Sequence, residues 1–186
     1  MDKTSPSLSF DTLRSGQVGI SPVWGSFLAE AASHCLQSND HVHPVCLFIT
    51  GDVCTPGTLA WRGLTAEENR SWADPDEAAE YGAYGVAILV ALPLTGTLRV
   101  ERSAKWGGFD YWLSKDDGER SIFQRAARME VSGIFKGDKT KIAARLNRKL
   151  AQTKQSDNTG LPAYAVIVEF GCPEARFVKS AAETKC

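Results

Sequence analysis

Two hydrophobic stretches each carry a single carboxylate: Asp110 in "GGFDYWLS", residues 107–114, and Glu130 in "ARMEVSGIF", residues 127–135. A carboxylate on an apolar, strand-forming segment costs free energy unless it is paired, hydrogen-bonded or bound to a metal. Two of them on neighbouring segments suggest a shared task. Each acid also has an ordinary reading, in which Asp110 pairs with Arg102 or Arg128, and Glu130 with Arg125 or Arg128, as bridges across strands.

Charge is unevenly distributed in a chain of 186 residues whose formal net charge is only -1. From Lys136 to Lys154 there are seven cationic side chains against Asp138 alone, and from 66 to 80 six acids against Arg70. A basic block beside an acidic one is what a phosphate-binding surface next to a metal cluster requires, although two solvated helix faces give the same pattern. His34, Cys35, His41, His43, Cys46 and Cys54 also crowd together, but without a CxxC or HxxxH pair. Zinc is therefore not expected, and reduced thiols explain the five cysteines. No Walker, Rossmann or Ser-His-Asp pattern is present.

The elements that must position these groups follow from periodicity and punctuation. Residues 1–22 read as an irregular arm, 24–37 as a helix, "PVCLFITGD" as a strand, and 54–71 as a polar loop over the core. Asp74, Pro75 and Glu77 mark the start of a core helix expected to run to Leu92 and stop at Pro93, with Glu80 one turn from Tyr84. Gly82 and Gly85 admit a close neighbour. "TLRVERS", "GFDYWLS", "ARMEVSGI" and "AYAVIVEF" read as strands. A basic helix from Asp138 to Thr153 separates the last two, with Ile142, Leu146 and Leu150 as its apolar stripe and Lys141, Arg145, Arg148 and Lys149 toward solvent or a ligand. The expected organisation is an α/β chain whose N-terminal extension, 1–73, packs on a core spanning 74–186. The apolar run 83–94 is too short for a membrane span and the N-terminus lacks signal-peptide organisation, so a soluble, cytoplasmic protein is expected.

This α-β-β-β-α-β order, with an acid on the leading helix, Asp on the second strand and Glu-x-Ser on the third, resembles the core of the PD-(D/E)XK, or restriction-endonuclease-like, superfamily. The resemblance covers roughly residues 74–170. It implies a mixed central sheet flanked by helices and a nuclease dependent on Mg²⁺ or Mn²⁺ and acting on DNA, of the kind that serves as the cutting subunit of a restriction or anti-phage assembly. It further implies that Asp110, Glu130, Glu80 and the carbonyl of Val131 hold the metal. Where the family has lysine, this chain has Ser132, which cannot supply a positive charge. Lys105 and Lys136 are the substitutes nearest in sequence, and Lys105 is favoured because Gly107 and Gly108 permit a tight return. The basic side chains Lys136, Lys141, Arg145, Arg148 and Lys149 would contact the backbone of a nucleic acid, and Trp106 would stack on a base. The same residues also fit a catalytically inactive subunit that binds nucleic acid or a protein partner, while a third reading is a non-enzymatic interaction protein whose N-terminal region is stabilised by zinc at the Cys/His cluster of 34–54.

Overall fold

The computed structural model describes residues 5–104, 107–115 and 124–180. In chain order its elements are β1 (Ser7–Ser9), α1 (Phe10–Arg14), α2 (Pro22–Ser38), β2 (Val45–Gly51), β3 (Thr55–Ala60), α3 (Ala66–Arg70) and α4 (Pro75–Thr95). There follow β4 (Arg99–Arg102), β5 (Tyr111–Ser114), β6 (Ala127–Ile134), α5 (Lys139–Thr153), a short 3-10 helix (Lys154–Thr159), β7 (Ala163–Glu169) and β8 (Glu174–Lys179). All eight strands form one mixed sheet in the order β1-β3-β2-β8-β7-β6-β5-β4. The fold is α/β.

Local chemistry explains the helices that matter. Asp74 accepts hydrogen bonds from the backbone N–H groups of Asp76 and Glu77, and Pro75 occupies the first helical position of α4. Asp138 caps α5 by accepting from the N–H of Lys141 at 2.8 Å. Glu169, almost fully buried, ties the turns after β6 and β7 together by accepting from the N–H groups of Gly137, Gly171 and Cys172.

The strands β4, β5 and β6 run as an antiparallel meander, and β6 pairs parallel with β7 across the α5 crossover. Alternation along β6 divides its two faces. Met129, Val131 and Gly133 point toward α4, whereas Glu130, Ser132 and Ile134 point toward α5, where Ile142 and the half-buried Leu146 pack on Ile134 and Ile167. Gly133 is needed for this arrangement, because a Cβ there would lie 1.9 Å from the carbonyl oxygen of Ala79. At Gly82 a Cβ would come within 2.8 Å of the Ala32 Cα, which is how α2 and α4 pack so closely.

Several elements differ from the sequence expectations. The arm contains β1 and α1, and the polar loop contains β3 and α3, so residues before 74 extend the sheet itself, through β2 beside β8, while α2 packs on α4. Helix α4 continues past Pro93 and ends at Gly96, whose φ of +67° is the left-handed cap that favours glycine. At 21 residues it is long and apolar enough to cross a membrane by length and composition, yet most of it is buried against α2 and β6.

Candidate active site

Asp110 sits one residue before β5, held by its own backbone: its N–H donates to the Met129 carbonyl at 2.9 Å and its carbonyl accepts from the N–H of Ser103 at 2.8 Å. Its side chain turns inward. Oδ2 accepts from the Val131 N–H at 2.8 Å, and Oδ1 accepts from the Tyr84 hydroxyl at 3.2 Å. The same hydroxyl lies 3.2 Å from Oε1 of Glu80, so Tyr84 links the helix acid to the strand acid. The N–H and C=O of one strand residue point the same way; the Val131 carbonyl therefore also faces this side of β6.

Glu130 is 1 % exposed, and its Oε2 has no hydrogen-bond partner. Oε1 is paired with the ammonium of Lys149, which reaches back from α5. Burial first, and then the neighbouring charge of Asp110, push the Glu130 carboxyl up to about 8, against the lowering influence of Lys149. Burial likewise raises Asp110, opposed by the Val131 N–H and Lys149. Tyr84 is raised well above the usual phenol range by burial and by the charges of Asp110 and Glu80, so it remains a donor. These acids line a cleft of about 780 Å³, whose walls include Arg102, Arg148 and Gln152. Arg102 is held over aromatic faces, 4.8 Å from the Trp24 ring centroid and 5.4 Å from that of Tyr84.

The expected site residues divide accordingly. Asp110, Glu130, Glu80 and Val131 come together. Ser132 points to the α5 face, but its hydroxyl accepts from the Arg145 guanidinium at 2.8 Å and carries no positive charge into the cleft. Lys149 meets Glu130 instead. Arg145 and Lys149 thus fold onto the sheet, while Arg148 lines the cleft. The side chains of Lys136 and Lys141 do not line the cleft; Lys141 donates to the Lys136 carbonyl beyond the end of β6. Lys105 and Trp106 lie outside the described residues.

The alternative pairings for the acids are not the ones found. Arg128, buried to 3 % exposure, bonds Asp157 and the carbonyls of Thr153 and Leu161, and Arg125 pairs with Glu101. The Cys/His residues disperse: His34 contacts the Asn69 side chain, His41 the Phe170 carbonyl, and Cys35, Cys46 and Cys54 are free thiols.

Among the described residues no three His, Cys, Asp or Glu side chains converge into a ready-made metal cage. The donor set nonetheless fits a hard divalent cation. The charge of Asp110 opposes ionisation of the buried Glu130, Glu130 Oε2 is orphaned, and an open cleft leaves room for the waters that complete a Mg²⁺ shell.

Two contributions escaped sequence reading. Tyr84 as a bridge between the acids needed the helix and strand to be juxtaposed. Lys149 was legible only as a basic helix residue, although its i,i+4 relation to Arg145 places the two on one face. No protein-family model matches this chain, and no curated protein or solved structure is significantly similar to it.

Proposed function

We propose that this protein is a metal-dependent phosphodiesterase acting on DNA, built on a restriction-endonuclease-like core formed by α4, β4, β5, β6, α5 and β7. The observation that carries the reading is the lysine ammonium at the buried acid pair: Lys149 of α5 supplies, beside Asp110 and Glu130, the positive charge that Ser132 cannot. The succession of elements and the meander-then-parallel pairing support the same reading.

Asp110, Glu130 and the Val131 carbonyl would hold Mg²⁺ or Mn²⁺, with Glu80 the outer acid. The ion would polarise a phosphate and lower the pKa of a bound water. The chain's own groups do the rest. Tyr84, whose single O–H lies 3.2 Å from a carboxylate oxygen of each of Asp110 and Glu80, fixes how the acids face the cleft. The Lys149 ammonium stabilises negative charge developing on a phosphate oxygen as water attacks phosphorus and the P–O ester bond breaks. Arg148 and Arg102, in the cleft wall, bind the flanking phosphates.

The test is cleavage of plasmid and single-stranded DNA with Mg²⁺ or Mn²⁺ against EDTA, for wild type, Asp110→Asn and Glu130→Gln. Metal-dependent cutting lost in both variants is expected. If the wild type binds DNA without cutting it under any of these conditions, the chain is instead an inactive nuclease-like binding subunit.

A further inference from the structure

A second cleft, of about 730 Å³, opens beside the acidic one and shares Arg102, Ser103, Phe109 and Gln155 with it, so the two are continuous. It lies against β4 and β5, which α5 leaves bare by covering β6 and β7. Trp112 of β5 lines it, on the same side as Asp110 two residues earlier. The Trp112 ring meets Phe109 edge-on at 4.4 Å, and the Arg125 guanidinium lies 4.4 Å from its centroid. A 3.2 Å ion pair with Glu101 holds Arg125, half of whose side chain stays exposed. Asn158 and Thr159 form the opposite wall, on the 3-10 helix anchored by Arg128. Arg102 stands where the two clefts join.

We propose that this second cleft is a nucleotide subsite. It takes the unpaired nucleotide next to the scissile phosphate of a single-stranded polynucleotide, its base stacked on the Trp112–Arg125 platform and its phosphate on Arg102. The inference rests on the phosphodiesterase reading above. A stacked aromatic and guanidinium pair recognises the face of a base, which every base has and which a duplex keeps covered by its neighbours. Continuity with the acid cleft puts that base one step along the chain from the bond to be broken. Asn158 and Gln155 offer amides to its edge without demanding one sequence.

Binding separates this subsite from the chemistry. Fluorescence anisotropy in EDTA is measured with a labelled oligo(dT) of about 12 nucleotides, a length that spans a typical single-strand site, and with its duplex. Wild type, Trp112→Ala and Trp112→Phe are compared. Single-strand affinity should fall about tenfold or more in Trp112→Ala, survive in Trp112→Phe, and exceed duplex affinity in the wild type. Equal single-strand binding by wild type and Trp112→Ala overturns the proposal, as does an equal loss for strand and duplex. Hydrolysis of methyl p-nitrophenyl phosphate, which has no base to stack, reads the acid centre separately. An inert ester in the wild type counts against the phosphodiesterase reading alone, and equal oligo(dT) binding counts against the subsite even where the ester is cut.

Discussion

Replacing Glu130 with glutamine should change how the stability of the metal-free protein responds to pH. The Glu130 side chain is 1 % exposed, one of its oxygens meets no donor, and burial beside Asp110 lifts its pKa from 4.5 to about 8. Between those values the folded protein holds a proton that the unfolded chain has released. The contribution of this group to stability is therefore fully present below pH about 4.5 and is lost as pH rises through about 8. Each unit of pH in that window is worth up to about 1.4 kcal/mol, so the whole window amounts to a few kcal/mol, or roughly 2–4 °C in Tm for each kcal/mol. Glutamine has no proton to lose. The substitution also changes the group that the Lys149 ammonium meets, which shifts the whole curve, so the slope is the informative quantity. Urea unfolding in EDTA at pH about 5.5, 7 and 8.5 measures it. The wild-type curve should fall more steeply than that of Glu130→Gln, and Mg²⁺ should flatten the wild-type curve alone. Parallel curves would refute the argument that burial beside Asp110 keeps this carboxyl protonated.

Other perturbations have equally definite outcomes. Gly133→Ala sets a Cβ against the Ala79 carbonyl and must push α4 from β6, at a cost of about 1–3 kcal/mol or more, read as a lower urea midpoint. Arg128→Met strands the Leu161 carbonyl and leaves Asp157 without its buried cation, and should destabilise by about 3–5 kcal/mol in the same assay. Tyr84→Phe removes the hydroxyl between Glu80 and Asp110; stability should change by only about 1 kcal/mol while DNA cleavage falls clearly, measured as initial rates at saturating Mg²⁺.

The parts of this fold that the sequence discloses are those governed by local chemistry. Asp74 with Pro75, and Asp138, announce their helices because caps answer to neighbouring N–H groups. The bounds of β6 and the start of β7 follow from long apolar runs. By contrast, "TPGTLA" carries turn residues yet forms β3, because pairing with β2 on one side and β1 on the other overrides a weak local preference. β8, "EARFVK", carries three charged residues in six and gains its strand conformation from pairing with β7 and β2 on either side. Pro93 gives up the N–H bond to the Leu89 carbonyl, yet α4 runs two residues further to Thr95 before Gly96 supplies the cap.

The candidate site divides along the same line. Asp110 and Glu130 stand out as acids on apolar segments, since any burial of such groups demands a partner. The partner itself is a matter of tertiary reach. Lys149 is nineteen residues from Glu130, and only the packing of Ile142 on Ile134 and Ile167 turns it toward the sheet. Lys136, close in sequence, is carried past the end of β6.

Lys149 is where the account is most exposed. Initial rates of Mg²⁺-dependent cleavage of single-stranded DNA by wild type, Lys149→Met and Lys136→Met, each checked for folding by circular dichroism, test it most directly. Loss of a positioned ammonium at the reacting phosphate should lower the Lys149→Met rate by roughly 10²-fold or more, while Lys136→Met cuts at a rate near that of wild type. A folded Lys149→Met protein that cuts as fast as wild type would contradict the account.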